Sequence, residues 1–278
     1  MKGFKMAKKR RKRLVARTDG HSGHLVGLTP PPWWFRDDSE QQKKIHKIQT
    51  ELWEFYAKTI DSLKPIDILM DLGDLLDGKG WRSGGGEQKT LDRLEQCEMA
   101  QYSIEYAEAP INLLHFGTRY HTGMSEDFER VIAKGLLDNP KIKEVHLEGH
   151  SFPKINGLQF DAKHKISGST IPHGRFTAIA KDKLWNTIWN SRAEQQPKAN
   201  VLLRGHVHYL SVCQNPAENW LAMTLPALQG YGSSYGVREC SGTVDIGLVV
   251  FDIEPDGSYT WWPILAKLPQ QKVRPLPL

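Results

Sequence analysis

The first half of the chain alternates between two spacings of apolar residues. From Ser39 to Leu63 they recur every three or four positions, which predicts a helix that is capped by Ser39 and ended by Pro65. Two further helices are predicted over Glu87–Ala109 and Ser125–Lys134. Short continuous apolar runs, which are typical of buried strands, occur at Arg13–Thr18, Ile66–Leu72 and Ile111–Phe116. This alternation predicts a mainly parallel sheet with right-handed crossovers.

The second half of the chain has many short strand-like stretches and one long helix. The helix is predicted over Phe176–Arg192. The predicted strands are Val145–Glu148, Leu158–Ala162, Val201–Arg204, Tyr209–Gln214, Trp220–Thr224, Val244–Asp252 and Tyr259–Ile264. We therefore expect one α/β domain over residues 14–268, in which two sheets pack on each other, and a peripheral C-terminal tail over residues 269–278.

The formal charge of +5 is unevenly distributed along the chain. Residues 1–13 hold eight basic residues and no acidic one, which leaves 29 of the 37 basic residues to balance 32 acidic ones. We expect residues 1–13 to form a solvated basic arm. Such an arm either attracts polyanions such as DNA or RNA or only keeps the protein soluble.

The composition excludes several classes of protein. An apolar fraction of 39% is too high for a disordered chain. No apolar run approaches the roughly 18 residues of a membrane span, and no apolar segment follows the basic start as in a secretory signal. The cysteines Cys97, Cys213 and Cys240 are far apart and odd in number, which favours a reducing cytoplasm over a disulfide framework.

Aspartate and histidine follow five of the predicted strands, and sites in parallel α/β sheets form beyond the carboxyl ends of strands. Imidazole and carboxylate groups together suit a divalent transition metal. Asp19 and His21 are two positions apart, so an extended chain lets both side chains reach one ion. The carboxylate of Asp74 can bridge two ions with its two oxygens. The other candidates at these strand ends are His121, His164, His206 and His208.

The order of these motifs resembles that of the calcineurin-like metallophosphoesterases. The matching elements lie between about Val15 and His208, and they are Asp19-Gly20-His21, Gly73-Asp74 with Asp77, His164, and Gly205-His206-Val207-His208. The sequence is also similar to divergent phosphoesterases of bacteriophages and prophages. The resemblance implies an α/β fold in which a two-sheet β-sandwich is flanked by helices, giving four layers.

The resemblance also implies a dinuclear centre of two divalent metal ions, for which Mn, Zn, Fe or Ni would be suitable. In such a centre Asp74 would bridge the ions, and a metal-bound hydroxide would attack the phosphate ester. The remaining ligands would be Asp19, His21 and His208 for the first ion and His164 and His206 for the second.

One motif departs from the family pattern. Where the family has Gly-Asn-His, this chain reads Gly117-Thr118-Arg119-Tyr120-His121. Thr118 stands at the Asn position, and a neutral hydroxyl is a poorer ligand than an amide oxygen. His121 is predicted to lie in the site, either as the catalytic acid or as the missing metal ligand. Arg119 is predicted to contact the substrate phosphate, with an exposed loop position as the alternative.

Some neighbouring residues are weaker candidates. His150 and His173 are alternatives to His164 as the isolated metal ligand. His115 lies inside a strand and is predicted to be a buried structural histidine. Asp77 is predicted to be a turn residue rather than a support for the bridging carboxylate.

Three segments rich in glycine or aromatic residues are expected near the site or on its margins. The loop Gly78–Gly86 is a candidate substrate clamp through Trp81 and Arg82, and Gln229–Gly242 is similarly rich in glycine. The aromatic residues of Pro30–Phe35 either stack on bases or pack on the body of the protein.

These features together predict a metal-dependent phosphoesterase of the cytoplasm, or of the host cytoplasm if a phage encodes it. The basic arm and the aromatic segment favour a phosphodiester of DNA or RNA as substrate. A phosphomonoesterase that acts on a small molecule or a phosphoprotein is the alternative. A non-catalytic protein of the same fold, which binds nucleic acid or a partner, is a third hypothesis because the family's Asn is missing.

Overall fold

The structure is a computed structural model that describes residues 10–34, 40–123, 127–232 and 242–267. Most of the predicted arm and the predicted C-terminal tail therefore lie outside the described residues. The strands are β1 (Lys12–Arg17), β2 (Ile68–Asp71), β3 (Ile111–His115), β4 (Glu144–Glu148), β5 (Lys154–Ile155), β6 (Leu158–Lys163), β7 (Val201–Arg204), β8 (Ser211–Asn215), β9 (Trp220–Thr224), β10 (Gly247–Ile253) and β11 (Tyr259–Leu265). The helices are α1 (Glu40–Leu63), α2 (Arg93–Glu105), α3 (Arg119–Thr122), α4 (Asp127–Leu136) and α5 (Gly174–Ser191).

The strands form two mixed sheets. The first has the order β11-β10-β1-β2-β3-β4, and the second has the order β5-β6-β7-β9-β8. Strands β1 to β4 pair in parallel, as do β6, β7 and β9, whereas β10 and β11 continue the first sheet in the antiparallel sense. The prediction of an α/β domain with two packed sheets is therefore confirmed.

The central strands are buried on both faces, and their residues alternate between two cores. In β1, Leu14 and Ala16 pack into the core between the two sheets, whereas Val15 packs against the helices on the other side. That helical layer consists of α1, α2 and α4. A third core lies on the far side of the second sheet, where Ile179 of α5 packs on Leu202. The result is four layers, from helices through two sheets to a helix.

Helix α2 begins six residues later than the sequence pattern predicts. The side chain of Asp92 accepts a hydrogen bond from the backbone N–H of Leu94, and Glu95 lies in the first turn. An N-cap carboxylate satisfies a donor that the helix itself leaves unpaired, so the helix starts at Arg93. The segment before it remains part of the loop that borders the site.

The last residues of the basic segment belong to the first sheet. Lys12 and Arg13 are the first residues of β1. Arg13 forms two hydrogen bonds of 2.8 Å with the carboxylate of Asp252, and Arg10 pairs with Asp67. These basic residues are therefore bound to carboxylates of the body. A free arm could consist only of residues 1–9, which lie outside the described residues.

The described part of the aromatic segment Pro30–Phe35 packs on the body of the protein. Trp34 donates a hydrogen bond of 2.9 Å to the backbone carbonyl of Thr29, and it contacts the helical core. Phe35 lies outside the described residues. Among the described helices, none has the length and apolar character that crossing a membrane requires.

Candidate metal centre

The predicted ligands follow strands of both sheets and meet at one edge of the sandwich. Asp19 and Asp74 follow β1 and β2 in the first sheet, and His164 and His206 follow β6 and β7 in the second. The backbone N–H of Asp19 donates to the carbonyl of Gly73 at 3.0 Å, which ties the two strand ends of the first sheet together. His121 reaches the same place from α3, directly after β3.

Five of these residues have a backbone conformation that non-glycine residues rarely adopt. Their φ angles lie in the left-handed region, at 52° for Asp19, 44° for His21, 49° for Asp74, 74° for His206 and 54° for His208. Such a conformation costs roughly 1 kcal/mol or more per residue, and it concentrates at functional sites. Sharp turns at the strand ends thus aim these five side chains at one another.

The first cluster consists of Asp19, His21 and His208, whose ligand atoms lie within 4.8 Å of one another. The Nε2 atoms of the two imidazoles are 3.3 Å apart. They lie 3.6 and 3.2 Å from Oδ1 of Asp19. The other oxygen of Asp19 accepts hydrogen bonds from the hydroxyl of Thr18 and the backbone N–H of His206. The carboxylate is therefore held by one oxygen while the second faces the imidazoles.

The second cluster consists of Asp74, His164 and His206, again within 4.8 Å. His164 donates from Nδ1 to the backbone carbonyl of Leu72 at 2.8 Å, which turns Nε2 towards the cluster. This Nε2 lies 3.0 Å from Oδ2 of Asp74. Oδ1 of Asp74 accepts from the backbone N–H of Thr118 at 2.7 Å. A Cβ on Gly117 would lie 2.0 Å from that oxygen, so the close approach requires glycine there.

These groups fit divalent metal ions. Nε2 of His164 and Oδ1 of Asp19 are buried, and neither has a partner with hydrogen-bond geometry among the described residues. A buried polar atom without a partner is costly, and a bound cation would satisfy both. Each cluster offers two imidazole nitrogens and one carboxylate, the donor set that Zn, Mn, Fe and Ni share.

Asp77 supports this site, and the expectation that it only shapes a turn is wrong. It is buried, and its Oδ1 lies 2.9 Å from Nδ1 of His21. Its other oxygen accepts a hydrogen bond from the side chain of Gln88. A carboxylate on the far nitrogen of a metal-binding imidazole fixes the ring orientation and increases its basicity. Asp77 therefore supports His21 rather than Asp74.

His121 lies in the site, as the sequence predicts. Its Nδ1 donates to the backbone carbonyl of Asp77 at 2.7 Å, and its Nε2 lies 3.9 Å from Oδ2 of Asp74. Its ring also packs edge-on against that of His21, with 4.6 Å between centroids. Thr118 does contact Asp74, through a hydroxyl 3.4 Å from Oδ1 as well as through its N–H. This threonine therefore orients the carboxylate.

Burial and nearby charge act differently on the individual histidines of the two clusters. Burial lowers the pKa of His21, but the nearby carboxylates of Asp19 and Asp77 outweigh it and raise the pKa to about 10. In the same way, burial opposes and Asp74 favours the charged form of His164, whose pKa is raised to about 9. Burial lowers the pKa of His206, and His164 nearby adds to that effect.

The carboxylates stay ionised in these surroundings. Burial raises the pKa of Asp74, but His164 and His121 outweigh it and hold the pKa well below its usual range. Asp19 behaves in the same way because of His208. Burial lowers the pKa of His121. The site therefore combines stable anions with imidazoles, which is suited to binding cations.

The centre opens into a cleft of about 1030 Å³. Arg119 is exposed on the wall of the cleft. No contact with another described residue of the site accounts for its position there. Lys165 and Arg175 also line the cleft, although the sequence pattern did not single them out. The sequence offers one signal for Lys165, which is that it directly follows the candidate ligand His164. The cleft is also lined by residues of the loop Gly78–Gly86, such as Arg82.

The rival histidines lie elsewhere. His115 is buried inside β3 and bonds to the carbonyl of Asp71 and the hydroxyl of Ser151, and burial lowers its pKa to about 4. His150 pairs with Asp161 at 2.8 Å. His173 is exposed at the start of α5. His150 and His173 belong to neither cluster formed by the described residues. Of the three alternatives, His164 is therefore the one that lies in the site.

The fold and the site define a class: a two-sheet α/β protein with clusters of candidate metal ligands at the carboxyl ends of its strands. No protein-family model matches the chain, and no curated protein matches it. Similar solved structures include an archaeal phosphodiesterase, with 10% identity, a TM-score of 0.45, and coverage of 91% of this chain and 99% of that chain.

Two further solved structures are similar over most of their length. Vps29 from Entamoeba histolytica, complexed with Zn²⁺, has 12% identity and a TM-score of 0.39, with 91% of this chain and 98% of that chain covered. A predicted phosphoesterase from Streptococcus pneumoniae TIGR4 has 9% identity and a TM-score of 0.37, with 93% and 99% covered. At such low scores the function has to follow from the site itself.

Proposed function

We propose that this protein is a metal-dependent phosphoesterase with a dinuclear centre, and that its substrates are phosphodiesters of nucleic acid. The observation that supports the proposal most strongly is the pair of ligand clusters, each built from both sheets. Their buried, unpartnered atoms on His164 and Asp19 are suited to cations rather than to packing.

Each residue has a part in this proposal. Asp19, His21 and His208 would hold one ion, His164 and His206 would hold the other, and Asp74 would supply a carboxylate shared by both. When bound, two such ions supply an activated water and neutralise the charge that develops on the phosphoryl group. His121 would protonate the leaving oxygen, with the role of a metal ligand as the alternative, and Asp77 would keep the ring of His21 in position.

A diester is the preferred substrate because the cleft is large and bordered by cations. A volume of about 1030 Å³ exceeds what one phosphate group needs. Arg119 and Lys165 are both exposed on its walls, and together they favour a substrate that carries several phosphate groups along its length.

Metal analysis followed by a substrate panel tests the proposal. The purified protein should bind about two ions per chain with Mn²⁺ present. It should hydrolyse bis-p-nitrophenyl phosphate and DNA or RNA faster than p-nitrophenyl phosphate. A preference for the monoester would make the protein a phosphomonoesterase instead. Less than one ion per chain, with no activity after addition of Mn²⁺, would make it a non-catalytic binding protein.

A further inference from the structure

Cationic side chains lie on both walls of the cleft. The wall formed by loops of the first sheet carries Arg82 and Arg119, and the wall formed by loops of the second sheet carries Lys165 and Arg175. Among the described residues that line the cleft, Glu87 is the one acid outside the candidate metal centre. A substrate at the centre is therefore bordered by positive charge from loops of both sheets.

An arginine on each wall is stacked on a tyrosine. The guanidinium of Arg175 lies 4.2 Å from the ring centroid of Tyr209, and it donates to the hydroxyl and the carbonyl of Thr243 at 2.9 and 3.1 Å. The guanidinium of Arg82 lies 5.4 Å from the ring centroid of Tyr120. A stacked guanidinium is held in place, so it loses less freedom when it binds a phosphate.

Trp81 stands between Gly80 and Arg82, two residues that line the cleft, and its side chain is strongly exposed. It is 71% exposed, on a single turn that spans Trp81–Ser83. Gly80 and Gly84, with φ angles of 58° and 61°, flank this turn in the left-handed region. The ammonium of Lys79 lies 5.7 Å from the Trp81 ring. A large aromatic face held in solvent beside a cation matches the way proteins bind unpaired bases.

We propose that a single-stranded polynucleotide passes through the cleft, with phosphates bound on both sides of the scissile bond and an unpaired base stacked on Trp81. Arg82 and Arg175 bind the flanking phosphates. Since the chain continues in both directions, the enzyme cuts interior bonds rather than removing terminal phosphates. This inference rests on the proposed phosphoesterase function and names its substrate.

The reaction that follows is a balanced hydrolysis. The oxygen of water forms a new bond to phosphorus, and one P–O ester bond breaks. The leaving oxygen takes up one proton and becomes a hydroxyl, while the second proton of the water is released. One strand end then carries a phosphate monoester and the other a free hydroxyl.

Circular oligonucleotides test the inference because they have no ends. The full-length protein with Mn²⁺ is incubated with single-stranded circles of DNA and of RNA, and in parallel with bis-p-nitrophenyl phosphate, which has neither bases nor flanking phosphates. We expect at least one circle to become linear. Circles that stay intact while bis-p-nitrophenyl phosphate is hydrolysed would overturn the inference and leave the proposed function standing. Failure on both substrates would overturn the proposed function itself.

Three substitutions assign the contacts. Trp81→Ala should raise KM for the oligonucleotide by about 5-fold or more, which corresponds to the loss of one stacked base. Arg82→Gln and Arg175→Gln should each reduce the slope of log KM against log salt by about 0.7, as expected for one lost phosphate contact. All three should impair the oligonucleotide more than bis-p-nitrophenyl phosphate. Equal losses on both substrates would overturn the assignment.

Matched controls come from the C-terminal half of α5, whose N-terminal residue Arg175 lines the cleft. Trp185 is also exposed, at 51%, and Arg192 caps the end of the helix opposite to Arg175. A helix of 18 residues is roughly 27 Å long, so Arg192 is far from the centre. Trp185→Ala and Arg192→Gln should leave KM and its salt dependence unchanged. If they act like Trp81→Ala and Arg175→Gln, binding is non-specific and the inference fails.

Discussion

Arg17 and Asp71 are partners in the register of β1 and β2, and their buried side chains form an ion pair at 2.7 Å. Arg17 also donates to the hydroxyl of Tyr56 at 2.7 Å. The pair lies just before Asp19 and Asp74 in the chain. The ion pair therefore holds in place the two strand ends that lead to Asp19 and Asp74. Each of these carboxylates belongs to one of the two candidate ligand clusters.

Breaking this ion pair should destabilise the protein strongly. Asp71→Leu leaves a buried guanidinium without its counter-charge, and we expect a loss of about 3–5 kcal/mol in the free energy of unfolding, measured with urea. The double variant Arg17→Met/Asp71→Leu should recover most of this loss, because no buried charge remains. A double variant as unstable as the single one would show that the charge is not the cause.

Asp74→Asn should abolish hydrolysis while the protein stays folded. The amide lacks the negative charge that two cations need between them, so we expect turnover to fall by about 1000-fold or more. Thermal melting checks the fold, and Asp138→Asn, at an exposed position, is the matched control. Turnover at the wild-type level would mean that the centre lies elsewhere.

Asp77→Asn should weaken metal binding rather than remove it. The carboxylate holds His21 through Nδ1 at 2.9 Å, and loss of such a partner typically reduces metal affinity about 10- to 100-fold. Activity should therefore recover in part when Mn²⁺ is raised, which a titration of rate against Mn²⁺ measures. A variant with unchanged metal affinity would limit Asp77 to a structural role.

Metal binding should release protons. The pKa values of His21 and His164 are raised to about 10 and about 9, so both imidazoles are charged at pH 7 in the metal-free protein. Ligands must be deprotonated, so we expect about two protons to leave, and the combined affinity for both ions to rise about 100-fold per pH unit below pH 9. Calorimetry in buffers of different ionisation enthalpy counts the protons. An affinity that is constant from pH 6.5 to 8.5 would contradict the prediction.

His121→Gln should distinguish a proton donor from a ligand. A nucleotide leaving group needs protonation, whereas p-nitrophenolate leaves without it, so the variant should lose about 100-fold or more on an oligonucleotide and much less on bis-p-nitrophenyl phosphate. The metal content should stay the same. If the metal content falls and both substrates suffer equally, His121 is a ligand.

The sequence predicts the fold well because its strands are bounded by strong local signals. The strands Val201–Arg204 and Trp220–Thr224 have the predicted limits, since each is a short apolar run next to polar residues. The apolar pattern places the start of α2 too early, although Asp92 and Glu95 form a recognisable capping pattern. Local chemistry therefore decides the longer elements, and the errors concern their ends and the two shortest elements, α3 and β5, which the pattern does not predict.

The site is harder to predict where it depends on contacts between distant parts of the chain. The side chain of Asp77 looks like that of a turn residue until His21, 56 positions away, is placed beside it. Arg13 looks like part of a free arm until Asp252 is paired with it across the sheet. Residues within one motif can be found from spacing, but partners that only folding brings together cannot.

Each cluster draws ligands from both sheets, and this has a consequence for unfolding. Asp19 and His208, 189 positions apart, approach to 3.2 Å only when the sandwich is complete. A cation bound between them would have to dissociate before the two sheets could separate. At a concentration 100 times its dissociation constant, such an ion adds about 2.7 kcal/mol to the free energy of unfolding. Hydrolysis at the centre and the stability of the folded protein would then both depend on the metal concentration.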